Sequence, residues 1–285
     1  MQSRRNFIKT STCAGMALGL GGSLWSSMIR AAAPEQKLGI ITNTCEALLK
    51  AKPKQTLRYL ARLGYSFIES GGNGYPVQDF TRWLRQAGLS CPVGGSSMSP
   101  MLADMDQQLR KSEALGHRYI ICYWPWLDSG ENLSRDTFMQ AAEHLNQLGK
   151  RCQQAGFKFA LHNHDKEFMS FGDETGYDLI LQHTDPSWVS MEMDLYWVHK
   201  AGQEPMDYLN RYPERIRLFH IKDMNNAQDR AITCPGDGVI DFASLLKKAK
   251  EIGLEYYIVE NERVLPEAEK ACLEGSYQHL TSLNW

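Results

Sequence analysis

Four stretches decide the fold: FKFALHNH at 157–164, WVSMEMD at 188–194, IRLFHI at 216–221 and YYIVE at 256–260. Each is a short apolar run that meets a polar side chain where it stops: His162, Asp194, His220 and Glu260. Runs of this length, rich in β-branched and aromatic residues, read as buried strands. The polar residue recurs at the same place in all four, which unrelated solvent-facing residues would not do. In a parallel α/β barrel the C-terminal strand ends converge on one site. Two imidazoles and two carboxylates meeting there suit a divalent first-row metal ion.

Outward from these runs the same alternation continues. Further strand candidates lie at 37–42, 65–69, 91–95 and 118–123, and helical candidates fill the gaps at 54–63, 77–88, 101–115, 135–155, 176–184, 204–211, 242–252 and 266–282. Gly64, Gly88, Gly116, Gly156 and Gly253 each fall where a helix must stop before the next strand, the usual place of a helix-terminating glycine. Eight strand–helix units in order, with no linker and no shift of composition, predict an α/β fold made of a single (β/α)8 TIM barrel over 34–285. There is no internal sequence repeat.

The chain has 285 residues, 43% hydrophobic and 22% charged, with a net charge of -2. That is ordinary globular composition. No basic stripe points to a nucleic-acid partner, and no segment of the expected mature chain is long and apolar enough to span a membrane. The first 33 residues read separately. Ser3-Arg4-Arg5-Asn6-Phe7-Ile8-Lys9 resembles the twin-arginine export motif, a weakly apolar stretch runs from Cys13 to Leu24, and Ala31-Ala32-Ala33 offers small residues for cleavage. This predicts a signal peptide over 1–33 and a periplasmic protein exported already folded, with its metal loaded in the cytoplasm. Six of the seven cysteines would remain after cleavage. They form no C-x-x-C pair, so no specific disulfide is expected, and Cys91 and Cys122 read as buried strand fillers.

The segments after the strands are aromatic. Tyr123-Trp124-Pro125-Trp126 follows the fourth strand and Tyr196-Trp197 the sixth. Trp124, Trp126, Tyr196 and Trp197 offer a wall for the C–H face of a sugar; Trp124 and Trp126 equally suit a role as cover for the end of the core.

LHNHDKEF (161–168), EMDLYWVHKAGQEPMDYLNRYPERI (192–216), LFHIKDM (218–224), CPGDGVIDFASLL (234–246) and YYIVENE (256–262) together resemble the xylose-isomerase-like TIM-barrel superfamily. They look most like its sugar phosphate isomerase/epimerase branch. The resemblance covers nearly the whole mature chain. It implies one divalent ion per chain (Mn, Mg, Zn or Co) held by the ends of strands five to eight, in the order Glu, Asp, His, Glu. Asp194, His220 and Glu260 match the last three. The first position departs, falling on His162 within His-Asn-His. Side chains alternate along a strand, so His162 and His164 point one way and Asn163 the other. Strand register favours His162 as the ligand, with His164 close behind and Glu167 a third candidate.

The departure bears on mechanism. The family epimerases are expected to work with two metal-bound glutamates on opposite faces of the substrate, through an enediolate. Here only Glu260 remains, and the second acid/base falls to His164 or Glu167. The resemblance therefore implies a metal-dependent isomerase or epimerase of a keto-sugar, aldose or ketose. A lyase is the alternative, since β-elimination beside a ketone needs a base on one side only and the 2-keto-myo-inositol dehydratases share the look of GDGVIDF. A non-catalytic sugar-binding barrel would have no reason to keep the three matched ligands. An abasic-site endonuclease of the same superfamily would need more metal ligands and a basic groove. Lys222 shares the parity of His220 and can hold a substrate oxygen, or form a strand-end ion pair. Glu69, ending the second strand, can touch substrate or a histidine. The glycines of Gly236-Asp237-Gly238 can line the pocket or serve a turn, Asp241 reads as a helix cap, and His117, at a turn, reads as structural. The expected partner is a small carbohydrate, without nucleic acid or membrane; family barrels are often homo-oligomers.

Overall fold

The computed structural model describes residues 37–285; the expected signal at 1–33 lies outside the described residues. Eight parallel strands close one barrel: β1 (Leu38–Ile41), β2 (Phe67–Glu69), β3 (Ser90–Ser96), β4 (Tyr119–Cys122), β5 (Lys158–His162), β6 (Ser190–Asp194), β7 (Ile216–Ile221) and β8 (Tyr256–Val259). Each pairs with its neighbours in chain order, and β8 closes on β1 with Leu38 opposite Tyr257. This is the (β/α)8 barrel that the strand–helix alternation predicts. Among the described residues no helix is long and apolar enough to cross a membrane.

Alternation sorts the strand residues into two cores. Leu38, Ile40, Ile68, Ile120, Leu161 and Phe219 belong to the larger buried cluster between strands and helices. Phe67, Val93, Tyr119, Ile121, Ala160, Leu218 and Ile258 form a separate buried cluster that fills the barrel. Gly39 lets this filling close: a Cβ there would lie 2.0 Å from the Phe67 ring. One step of two residues beyond the inner layer lie Glu69, Tyr123, His162, His220 and Glu260. The strand period of two therefore turns these side chains inward at the C-terminal mouth.

The helices follow the expected order, with three differences. The helix expected over 101–115 is two, Met98–Ala103 and Met105–Leu115. Asp104 breaks it, because its carboxylate accepts from the Gln107 N–H at 2.8 Å and starts the second helix as a cap. Short helices Glu46–Ala51 and Leu195–Lys200, each under two turns, carry too little periodicity to read in sequence. The cysteines also differ from expectation: Cys234 and Cys272 form a disulfide with Cα atoms 5.5 Å apart. It ties the loop after β7 to the last helix, Glu269–Ser282. Spacing could not reveal it, since the two residues are 38 apart and meet only through the closed barrel. Constraining a loop of that size stabilises by about 3–4 kcal/mol in the chain-entropy description. Cys45, Cys91, Cys122 and Cys152 are free and buried, Cys91 and Cys122 being the strand fillers of the sequence reading.

His117 has the structural role its turn position suggests. Its ring lies 3.1 Å from the Ser112 hydroxyl and 3.1 Å from the Ser70 carbonyl oxygen. Gly94 admits it, because a Cβ there would lie 2.5 Å from the ring. Burial pushes the pKa of His117 from 6.5 down to about 4, against the opposing pull of the Ser70 hydrogen bond. As pH falls, the unfolded chain takes up this proton first. The stabilisation is therefore complete above about pH 6.5 and drains away between there and about pH 4, by about 3 kcal/mol in all. Equilibrium unfolding of wild type and His117→Gln at pH 7 and pH 4.5 should show the wild-type advantage shrinking by about 2 kcal/mol at the lower pH; an unchanged difference would mean the ring is already protonated in the fold.

Candidate metal centre

The inward residues at the barrel mouth surround a cavity of about 410 Å³ lined by, among others, Asn43, Tyr123, His162, His164, Lys222 and Glu262. His162, Asp194, His220 and Glu260 are buried and can each offer one ligand atom, with these atoms all within 4.8 Å of one another. The four strand-end residues of the sequence reading are thus brought together. His162 rather than His164 belongs to the set, as strand register favours. His164 lies beside it, ring centroids 4.9 Å apart, and faces the cavity.

Each member is held by its element. Asp194 ends β6 and caps the helix Leu195–Lys200: its Oδ1 accepts from the Trp197 N–H at 3.0 Å. Its Oδ2 has only the Lys222 ammonium, at 3.0 Å, and His162 Nδ1 has only Glu192 Oε2, at 3.3 Å, although both atoms are buried. Asn163 points the other way, as expected, and its side-chain oxygen accepts from the Asp194 N–H at 3.1 Å, locking β5 to β6. His220 lies between carboxylates, with Nδ1 2.6 Å from Glu260 Oε2 and Nε2 2.9 Å from Glu69 Oε2. Asn43 donates to the other oxygen of Glu260 at 2.8 Å. Glu69 therefore meets the histidine, one of its two expected roles, and Tyr123 donates to its second oxygen at 2.5 Å.

The donors fit a divalent ion. Burial holds the pKa of His162 well below its ordinary value, so the imidazole is neutral with a lone pair to give. Burial works to raise the pKa of Glu260, but the charges of Lys222 and His220 outweigh it and hold the carboxylate well below its ordinary range. Buried atoms of His162 and Asp194 that only neighbouring charged groups approach, gathered with two further ligand groups within 4.8 Å, are what a divalent ion would satisfy.

The remaining expected site residues divide. Lys222 lines the cavity and is no surface ion pair: it is buried, within about 3 Å of three carboxylates (Asp194, Glu260 and Glu262, at 3.0, 3.0 and 2.9 Å). Trp124 and Trp197 flank His164, with ring centroids 5.5 and 5.4 Å from it. Trp126 is 2% exposed and packs edge-on against Phe138 at 4.8 Å. It belongs to the core and not to a sugar-facing wall. Tyr196 is buried, and its hydroxyl donates to the Arg230 carbonyl at 2.9 Å, which makes it a loop anchor. Glu167 turns back to accept from the His164 N–H at 2.7 Å and does not line the cavity; burial raises its pKa to about 7. The Gly236-Asp237-Gly238 loop wraps Asp223, whose carboxylate accepts from the N–H groups of Gly236, Gly238 and Ile240 at 3.0–3.1 Å. A Cβ on Gly238 would lie 2.3 Å from that carboxylate, so this glycine serves the close approach.

Three residues were not anticipated. Glu192 is buried 3.3 Å from both His162 Nδ1 and His220 Nε2. It lies two residues before Asp194, and Glu262 two after Glu260, so strand parity alone could have marked both. Asn43 sits in a short 3-10 turn, Thr42–Cys45, that carries no sequence signal.

The model of the xylose isomerase-like TIM barrel family matches residues 57–276, and the chain belongs to that family. It is 28% identical over 150 residues to an inosose dehydratase of Lacticaseibacillus casei, a match covering 46% of this chain and 49% of that relative. The match thus spans about half the length of the relative. Among solved structures, a sugar phosphate isomerase/epimerase from Parabacteroides distasonis superposes with a TM-score of 0.72 at 23% identity, covering 90% of this chain and 97% of the other. The IolI protein with a bound zinc atom superposes with a TM-score of 0.65 at 17% identity, covering 87% of this chain and 96% of the other. Both likenesses are of fold.

If His162 is a ligand and His164 is not, His162→Ala should weaken Mn²⁺ or Zn²⁺ binding by more than about 100-fold, beyond the 10–100-fold typical of outer partners. His164→Ala should change it by less than about threefold, within the scatter of an indirect effect. Isothermal titration on the two variants reads this directly; the reverse ranking would move the ligand to His164.

Proposed function

We propose that this chain is a metal-dependent enzyme of keto-sugars or keto-polyols that removes a proton from the carbon beside a carbonyl, with isomerisation or epimerisation as the outcome. The observation that carries the reading is the convergence of His162, Asp194, His220 and Glu260 on one cavity that also exposes proton-transfer groups. A divalent ion held by those four would supply Lewis-acid polarisation of substrate oxygens.

The chain's own groups would do the rest. Burial pushes the pKa of His164 down to about 4, so at neutral pH it is an uncharged base facing the cavity. Its ring, between Trp124 and Trp197, is fixed in direction. Lys222 keeps its proton, because the charges of Asp194, Glu260 and Glu262 overcome a burial effect that alone would lower its pKa. It can steady an anionic oxygen of substrate. Trp124 and Trp197 back the His164 ring rather than line the cavity, whose lining includes the ring of Tyr123, and the volume of about 410 Å³ leaves room beyond a single pyranose ring. If the leader at 1–33 exports the chain, the substrate is a free sugar or glycoside of the periplasm rather than a sugar phosphate.

A second reading, β-elimination of a hydroxyl or glycosyl group beside the ketone, has its own support. His162 stands where the resemblance leads one to expect a glutamate, which removes one of the two carboxylates of a two-faced exchange. A relative matched over about half its length is an inosose dehydratase.

Mn²⁺-loaded protein incubated in D₂O with 2-keto-myo-inositol, fructose and a 3-keto-glucoside separates the readings. Isomerisation gives an isomer carrying deuterium at the exchanged carbon; elimination gives an unsaturated ketone lighter by one water, or by the aglycone released as its alcohol. Asp194→Ala should abolish either by about 10³-fold or more, the scale of lost metal-ion catalysis. Absence of both exchange and turnover on all three ketones, with metal bound, would count against an enzymatic role.

A further inference from the structure

Lys222 is the feature the proposed reaction leaves least explained. Its side chain is 1% exposed, and its Nζ lies 3.0 Å from Asp194 Oδ2, 3.0 Å from Glu260 Oε2 and 2.9 Å from Glu262 Oε2. Asp194 and Glu260 both belong to the four-residue ligand set. Asp194 has already committed Oδ1 to the Trp197 N–H and Glu260 has committed Oε1 to Asn43. The ammonium therefore approaches the remaining oxygen of each: it is the ion-pair partner of Asp194 Oδ2, and it shares Glu260 Oε2 with His220 Nδ1, 2.6 Å away. The third partner, Glu262, lies outside the ligand set, lines the cavity and is partly exposed.

We propose that Lys222 is the resident counter-cation of this centre: its ammonium holds the Asp194 and Glu260 oxygens in the metal-free protein, competes with the divalent ion for them, and on loading is handed over to Glu262 at the cavity wall. The inference rests on the metal-site reading. The physical ground is charge. Buried carboxylates brought within a few ångströms of one another repel, and each needs a cation or a proton to remain buried. Lys222 supplies that cation before any ion arrives, so the barrel can fold empty. An arriving ion must then displace a positive charge from the atoms it needs, and its affinity is lower by the work of doing so. The ammonium already lies beside the ring of Trp197, 5.3 Å from its centroid, and lines the cavity, where a substrate oxygen would lie. Lys222 is in this sense a positioning residue that prepares the empty site.

The test compares wild type, Lys222→Met and Lys222→Arg, each as metal-free protein and with Mn²⁺. Removing the competing charge should tighten Mn²⁺ binding in Lys222→Met by about tenfold or more, while the same variant melts about 5 °C or more below wild type when metal-free and recovers most of that loss in saturating Mn²⁺. Lys222→Arg, which keeps the charge, should bind Mn²⁺ within about threefold of wild type. A lysine that merely props up the fold would lower stability with and without metal alike, and would not tighten binding. Equal or weaker Mn²⁺ binding by Lys222→Met would overturn the inference while leaving the metal site standing. Absence of Mn²⁺ binding by wild type would overturn both. Crystals of wild type grown metal-free and with Mn²⁺ give a second reading that needs no variant. Nζ should leave Asp194 Oδ2 and Glu260 Oε2 and keep Glu262; an unmoved Nζ in the loaded crystal would contradict the handover.

Discussion

Glu69, Glu192, Asp194 and Glu260 are buried together at one end of the barrel, and the arrangement of the site follows from how their charge is compensated. The cationic or proton-donating groups in contact with them are His162, His220 and Lys222, with neutral help from Asn43 and Tyr123. An uncompensated buried carboxylate costs several kcal/mol, far more than a surface pair could return. His162 Nδ1, both nitrogens of His220 and the lysine ammonium are therefore each placed against a carboxylate oxygen. Burial tends to lower the pKa of His220, yet the charges of Glu192, Glu69 and Glu260 prevail and raise it well above its ordinary value. A divalent ion at this place would take over part of the compensation that His220 and Lys222 now provide.

The barrel makes the cluster possible through one periodicity. Inner-layer residues Phe67, Ile121, Ala160, Leu218 and Ile258 fill the interior, and two residues further on each strand turns a polar group to the same space. The apolar layer beneath removes water and dielectric from one side of the site, which strengthens each pairing above it. The loops complete the frame: the Asp223 carboxylate gathers the glycine loop after β7, and the Cys234–Cys272 bridge fastens that loop to the last helix. Asn261, between Glu260 and Glu262, donates towards Cys234 Sγ at 3.3 Å, so the bridge also abuts the strand end that carries two of the acids.

Much of this was readable in the chain because strand and helix periods are local properties. The eight strands and the ligand set required only the alternation of side chains and the recognition that four runs stop alike. Helix ends at Gly64, Gly88 and Gly116 were readable for the same reason, since each sits at positive φ where glycine is favoured. What escaped depends on contacts between distant segments. Trp126 could face sugar or core, and only the position of Phe138 on the helix Arg135–Gln154 settles it. The disulfide partners meet through closure of the barrel. Tyr196 turned out to anchor Arg230, thirty-four residues away. Glu192 and Glu262 were within reach, as both share the parity of a predicted ligand, but a search for one polar residue per strand passed over them.

The central claim is that one divalent ion belongs at the ends of β5 to β8. Anomalous diffraction at the manganese edge, from crystals soaked in Mn²⁺, tests it most directly. One peak is expected within about 2.0–2.3 Å of His162, Asp194, His220 and Glu260. A peak seated instead among Glu69, Glu192 and His220, or no peak after soaking, would contradict it.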